Sequence, residues 1–225
     1  MNEPIPRIWS FEYSPFAGKV RAALVEKGIE YEIAEINPGN RPARLRELNP
    51  FNRVPVLEVG GAVLRESALI CDWIEENYPE PPLWPSDPTE RAQAKFDSYW
   101  FEEFIIRTLF GGMRKIAFGH AEGEPEDIGK QTVAKLAKHW LKLEARLAAN
   151  GGDWLAGEMF TYGDLGAMPV AVRVPTWAPA IGVPEAVPDA DTTPLVAAYF
   201  ERLRQRPSAS AIEAKGEPVL SGDDG

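Results

Sequence analysis

The sequence predicts two domains of different class, an α/β N-terminal domain of order βαβαββα and an all-α C-terminal domain. Three observations carry this. Short apolar runs alternate with helical patterns as far as Tyr78. The proline-rich stretch from Pro79 to Pro88 then interrupts both periods, and beyond it the periodic segments repeat almost entirely at helical spacing. The predicted division is 1–79 for the α/β domain, 80–88 for a linker and 89–225 for the helical domain.

The elements follow in order. Arg7 to Phe11 reads as a strand. A first helix runs from Pro15 to Lys27, with Val20, Ala23 and Leu24 on its apolar side and Gly28 as its stop. Glu30 to Ile36 reads as a second strand, and Arg41 to Leu48 as a short helix ending before Asn49-Pro50. Val54 to Val59 and Ala62 to Leu64 pair through Gly60-Gly61, a two-residue turn that supplies positive φ at no steric cost. Ser67 to Tyr78 repeats Leu69, Ile70, Trp73 and Ile74 at helical spacing. After the linker, helices are expected from Glu90 to about Phe118 and from Asp127 to Ala149. Thr161 with Asp164 three residues on forms a capping box, and Phe160 with Leu165 the accompanying hydrophobic staple. Pro169 is expected to bend the helix that starts there and Pro175 to end it. Ala180 to Thr193 reads as loop, and Pro194 to Arg206 as the last helix.

Composition narrows the function classes. A formal net charge of −10 disfavours nucleic acid and anionic membrane surfaces, since both call for a basic footprint. No apolar run approaches the roughly 18 residues of a spanning helix. The N-terminal residues lack a basic flank and an apolar core, so no secretory signal is expected. Cys71 is the sole cysteine, which excludes an internal disulfide and fits a cytoplasmic setting. Its mid-helix position beside Ile70 predicts a buried, inert thiol. His120 and His139 are far apart in sequence, and no metal site is expected.

The chemistry concentrates in Tyr13-Ser14-Pro15-Phe16, which places a hydroxyl at the mouth of a helix directly after a strand. Most such serines only cap the helix. A hydroxyl there also donates to an anion, and the free N–H groups of the first turn favour negative charge at the same point. Val54-Pro55 at a strand start is either an edge-strand proline or a cis-proline in a tight turn. Glu66-Ser67 brings a carboxylate, a hydroxyl and helix N–H groups together, or is an ordinary helix start.

Taken with Asn40-Arg41-Pro42, Asn49-Pro50-Phe51, Val54-Pro55-Val56-Leu57 and Thr161-x-x-Asp164, these strings resemble the cytosolic glutathione transferases over almost the whole chain. Within that superfamily the chain is similar to the omega and tau classes. Omega proteins carry cysteine where this chain has Ser14, and tau proteins carry serine. The resemblance implies a thioredoxin-like N-terminal domain, glutathione as co-substrate, a homodimer and a role in detoxification. It further implies that Ser14 stabilises the glutathione thiolate. Val54, cis to Pro55, would offer its backbone to the tripeptide. Glu66 and Ser67 would hold the γ-glutamyl end, Arg41 (or Arg53) the glycyl carboxylate, and Phe16 would flank the sulfur. A pocket for a small hydrophobic electrophile is expected to draw on Tyr13, Tyr99, Phe104, Arg107, Phe110 and Arg114, with Trp177 covering it. The alternatives are a glutathione-dependent isomerase, lyase or dehalogenase, or a non-catalytic binding protein of the same fold.

Overall fold

The computed structural model describes residues 4–118, 124–180 and 182–213. The chain separates into two compact units, one formed by residues 4–82 with 207–213, the other by 83–206.

In the first unit, strands β1 (Arg7–Ser10), β2 (Glu32–Glu35), β3 (Val56–Val59) and β4 (Ala62–Arg65) form one four-stranded sheet of order β2-β1-β3-β4. β1 pairs parallel with β2 and antiparallel with β3, and β3 pairs antiparallel with β4. The hairpin turn has φ 55° at Gly60 and 85° at Gly61, the pair of positive values expected from this dipeptide. Helices α1 (Pro15–Glu26), α2 (Ala43–Leu48) and α3 (Ser67–Asn77) complete the predicted order. Period-two alternation sends Ile8 and Trp9 to opposite faces of the sheet. Trp9 packs with Ile36, Leu45, Leu48 and Val56 around α2, while Ile8, Val20, Leu24, Ile70 and Ile74 are wholly buried. Lys27, at the end of α1, is buried as well. Its Nζ reaches Glu75 Oε2 at 2.5 Å and the Pro81 carbonyl at 2.6 Å, fastening the chain after α3.

The second unit is helical. α4 (Pro88–Trp100) is capped by Asp87, whose Oδ1 accepts from Thr89 N–H at 2.8 Å and Glu90 N–H at 3.0 Å. It passes through a π-helical turn, Phe101–Ile106, into α5 (Arg107–Phe118). α6 (Pro125–Asn150) ends on Gly151 in the left-handed conformation, as its Asn-Gly-Gly terminus predicts. α7 (Tyr162–Ala180) and α8 (Pro194–Gln205) follow. α4 lies so close to α7 that a Cβ on Gly166 would sit 2.9 Å from the Ser98 backbone.

The capping box is present. Thr161 N–H donates to Asp164 Oδ2 at 2.8 Å, and Gly163 N–H donates to Thr161 Oγ1 at 3.1 Å. Asp164 is fully buried and also accepts from Leu155 N–H at 3.0 Å and Tyr199 O–H at 2.9 Å. Burial raises its pKa to about 6 against the pull of those donors.

One expectation is corrected. Pro175 does not end its helix, because α7 continues through Pro175 and Pro179 to Ala180. A proline strands the carbonyl four residues earlier. Here that carbonyl, Ala171, accepts from Arg204 Nη1 at 3.1 Å, so the lost bond is replaced from α8.

The chain after α8 returns to the first unit. The 3₁₀ turn Pro207–Ala211 packs on α1, with Ser208 Oγ donating to Glu26 at 2.5 Å.

Candidate functional site

Strand register assembles the candidate residues of the first unit. Trp9 pairs with Val56 and Val56 with Arg65, so the end of β1, the start of β3 and the end of β4 share one edge of the sheet. Phe11 to Phe16, Val54-Pro55 and Glu66-Ser67 follow or precede those strand ends by a few residues. The N-termini of α1 and α3 therefore open at this edge. Neither helix carries an acidic residue in its first turn, which leaves the positive ends of both dipoles uncompensated from within the helix.

Ser14 is the N-cap of α1, with φ −67° and ψ 118°. The turn before it is closed by Ser14 N–H donating to the Phe11 carbonyl at 2.9 Å. Ser14 Oγ accepts from Ala17 N–H at 3.2 Å. An oxygen that accepts in this way keeps its own proton to give, and among the described residues no acceptor takes it. Phe16 is half-buried on the first turn of α1, while Tyr13 is buried with its ring 5.6 Å from that of Phe11.

The Val54–Pro55 peptide bond is cis. The N–H and C=O of Val54 have no partner among the described residues, so an extended strand-like backbone finds a donor and an acceptor there.

Glu66 stands out by conformation. It has φ 64° and ψ 121°, and only it and Asn52 depart from negative φ among the non-glycine residues described. Its side chain is exposed and makes no capping bond, while Ser67, the first residue of α3, is buried. Strain of this kind, about 1–3 kcal/mol, clusters at ligand clamps.

Arg41 is exposed and already engaged. Its Nε donates to the Pro38 carbonyl at 3.2 Å and its Nη1 to the Asn52 carbonyl at 2.5 Å, so it clasps the loop before α2 to the chain before Val54. Arg53 is exposed; its carbonyl accepts from Asn49 Nδ2 at 2.9 Å, while its guanidinium makes no hydrogen bond or ion pair among the described residues.

In the second unit the candidates divide. Tyr99 and Phe104, 52% and 46% exposed, meet edge-on at 6.0 Å. Arg107 is tied to Glu103 at 2.7 Å. Phe110 instead packs edge-on against Trp177 at 5.4 Å, away from the Tyr99–Phe104 pair in contact terms. The side chain of Arg114, and His120, lie outside the described residues. His139 accepts at Nδ1 from Trp100 Nε1 at 3.1 Å, and burial lowers its pKa. No group of three potential metal ligands occurs among the described residues, and no described helix is long and apolar enough to cross a membrane.

Two features of the site escaped the sequence reading. The φ of Glu66 has no local sequence signal. Arg21, buried on α1, had one: it is a cation inside the apolar run Val20 to Leu24, seven residues after Ser14.

Comparison with known proteins agrees with this architecture. The family model for the glutathione S-transferase N-terminal domain matches residues 9–82, and that for the glutathione S-transferase C-terminal domain matches residues 111–207. The chain is 30% identical to glutathione S-transferase omega-1 of Rattus norvegicus, covering 94% of this chain and 84% of that protein. It is 33% identical to glutathione S-transferase U19 of Arabidopsis thaliana, covering 80% and 75%. A glutathione S-transferase structure from Rhodospirillum rubrum superposes with a TM-score of 0.81 at 26% identity, covering 97% of this chain and 96% of that one. With its thioredoxin-like sheet, its helical second unit and both family domains in sequence, the chain belongs to the glutathione transferases, and within them to the omega- and tau-like proteins.

Proposed function

We propose that this enzyme conjugates glutathione to small hydrophobic electrophiles, with Ser14 as the donor that stabilises the glutathione thiolate. The observation carrying the proposal is the state of the Ser14 hydroxyl. It accepts from Ala17 N–H, leaves its proton for an incoming acceptor, and stands at a helix mouth without an acid in the first turn.

The energetics are sufficient. A free thiol of pKa ~8.5 is about 3% ionised at pH 7, and lowering the pKa by about two units makes most of it thiolate. That shift corresponds to about 2.7 kcal/mol. A hydrogen bond to a charged acceptor supplies roughly 1.5–3 kcal/mol, and a helix N-terminus about 0.3–1 more. The dipole alone is too weak; hydroxyl and dipole together suffice. The thiol proton leaves to solvent, the sulfur forms a C–S bond to the electrophilic carbon, and the leaving group departs with its electron pair.

The shared sheet edge supports the roles proposed for Val54, Glu66 and Ser67. Val54 offers its N–H and C=O to the cysteinyl residue of glutathione. Glu66 accepts from the γ-glutamyl ammonium, while Ser67 and the α3 N-terminus take the adjoining carboxylate. Arg41 serves the glycyl carboxylate, with the unengaged Arg53 as the second cation for it. Phe16 flanks the sulfur. Tyr13, Tyr99, Phe104, Arg107 and Phe110 are proposed for the electrophile. A homodimer in the cytoplasm completes the reading. Phe51 and Leu69, 73% and 64% exposed, offer apolar surface for a second copy, and sedimentation velocity tests it.

The test of the central role is titration of the bound thiol by its ultraviolet thiolate absorbance. Ser14→Ala is expected to raise the bound-thiol pKa by about two units and cut turnover at pH 7 on the order of tenfold or more, with glutathione affinity largely retained. An unshifted titration with unchanged turnover removes Ser14 from the mechanism.

A further inference from the structure

We infer that Arg21 is a positioning residue for Ser14, its buried guanidinium locking the turn from which Ser14 presents its hydroxyl. The inference rests on the reading of Ser14 as donor to the glutathione sulfur.

Arg21 is 4% exposed. It follows Ser14 by seven residues, about two helical turns, and so lies on nearly the same side of α1. Helical side chains lean toward the N-terminus, which directs Arg21 back at the β1–α1 turn. Three acceptors from two separate stretches of chain meet its fork. Nη1 donates to Ser10 Oγ at 2.7 Å, Nη2 to the Glu12 carbonyl at 3.2 Å, and Nε to the Ala211 carbonyl at 2.9 Å. Glu12, Glu35 and Tyr31 are the charged and titratable groups facing it. Glu35, at the end of β2, accepts from Glu12 N–H at 2.5 Å. The Glu12 peptide is therefore gripped by its N–H from β2 and by its C=O from α1, two residues before Ser14.

Stability alone does not call for this arrangement. A buried ion with charged neighbours is commonly replaced by apolar groups of similar volume at little cost or with a gain. What an apolar group lacks is the planar fork, which fixes three acceptors in one geometry. Hydrogen-bond strength falls steeply as alignment is lost, so a loosened turn weakens the bond from Ser14 to sulfur while leaving the glutathione clamps of β3 and α3 in place. The Ala211 contact extends the lock to the segment after α8, which thereby braces the turn.

The test compares wild type, Ser14→Ala, Arg21→Met, Arg21→Lys and Ser10→Ala in the full chain. The readouts are the pKa of bound glutathione and the split of kcat from KM. Arg21→Met is expected to raise the bound-thiol pKa by about one unit and lower kcat on the order of tenfold, with KM for glutathione little changed. Arg21→Lys keeps the charge without the fork and is expected to behave like Arg21→Met. Restoration of the wild-type pKa by lysine would show charge rather than positioning and overturn the inference. So would unshifted titrations in both Arg21 variants while Ser14→Ala is shifted. If Ser14→Ala itself leaves the thiol unshifted, it is the Ser14 reading that fails, and the inference with it. Should Arg21→Met not fold, Arg21→Lys and Ser10→Ala decide by the same readouts. Ser10→Ala removes the closest acceptor and is expected to give a smaller shift in the same direction.

Discussion

Among the described helices, α1 and α7 each begin on a hydroxyl that accepts from a first-turn N–H, and the two hydroxyls meet opposite fates. At α7, Thr161 Oγ1 accepts from Gly163 N–H and lies 3.1 Å from Asp164 Oδ2, which takes its proton. Asp164 in turn gathers Leu155 and Tyr199. Each polar group of that cluster is used inside the fold. At α1, Ser14 Oγ accepts from Ala17 N–H, the first turn has no acid, and no acceptor among the described residues takes the hydroxyl proton. One local device thus has its hydroxyl proton taken inside the fold in one place and untaken among the described residues in the other. The difference lies in whether an acid stands three residues on.

The comparison breaks most strongly at Asp164. Asp164→Ala orphans four buried donors at once and is expected to destabilise the fold by about 4 kcal/mol in chemical denaturation. The pKa of bound glutathione should be the same in whatever fraction remains folded. Ser14→Ala is the mirror image: its loss of thiolate comes with a stability change of only about 1 kcal/mol, that of an ordinary cap. Ser14→Asp sharpens the contrast, because it builds an acidic cap like that of Asp87 on α4. Stability should hold within about 1 kcal/mol, while the bound-thiol pKa rises above its value in Ser14→Ala through repulsion between the carboxylate and the thiolate.

The pH dependence of stability offers a finer measure. Asp164 has its pKa raised from 3.8 to about 6, so between those values the folded chain holds more of this proton than the unfolded chain. Its contribution is full below the lower value and is lost as pH rises through the upper one. Asp164→Asn should remove that slope in urea midpoints measured across the window. The smallest effect is expected at Glu66. Glu66→Gly relieves its positive φ and should raise stability by about 1 kcal/mol while weakening glutathione binding. Equal affinity in that variant would separate Glu66 from the ligand.

The devices legible in the sequence are those that act over a few residues. Gly60-Gly61 names its turn because two consecutive positive φ values suit little else. Thr161 and Asp164 name a helix start because their spacing is that of the bonds they make. The alternation of strand and helix periods up to Tyr78 gave the element order for the same reason. Pro175 shows where such reading stops: its local rule was right about the lost bond, but Arg204, from another helix, supplies the replacement. Tyr99 and Phe110 show it again, since aromatics at helical spacing on one chain segment joined different neighbours.

By itself the sequence determined the two-domain order and the caps and turns, and it singled out Ser14, Val54-Pro55 and Glu66-Ser67 as candidates for the proposed site. Only the tertiary structure decided that these groups share one sheet edge, that Glu66 adopts positive φ, and that Arg21 reaches Ser10, Glu12 and Ala211. The physical reason is range. Caps and turns are set by dihedrals and bonds within a few residues, whereas a strand register or a buried guanidinium is set by partners that arrive from far along the chain.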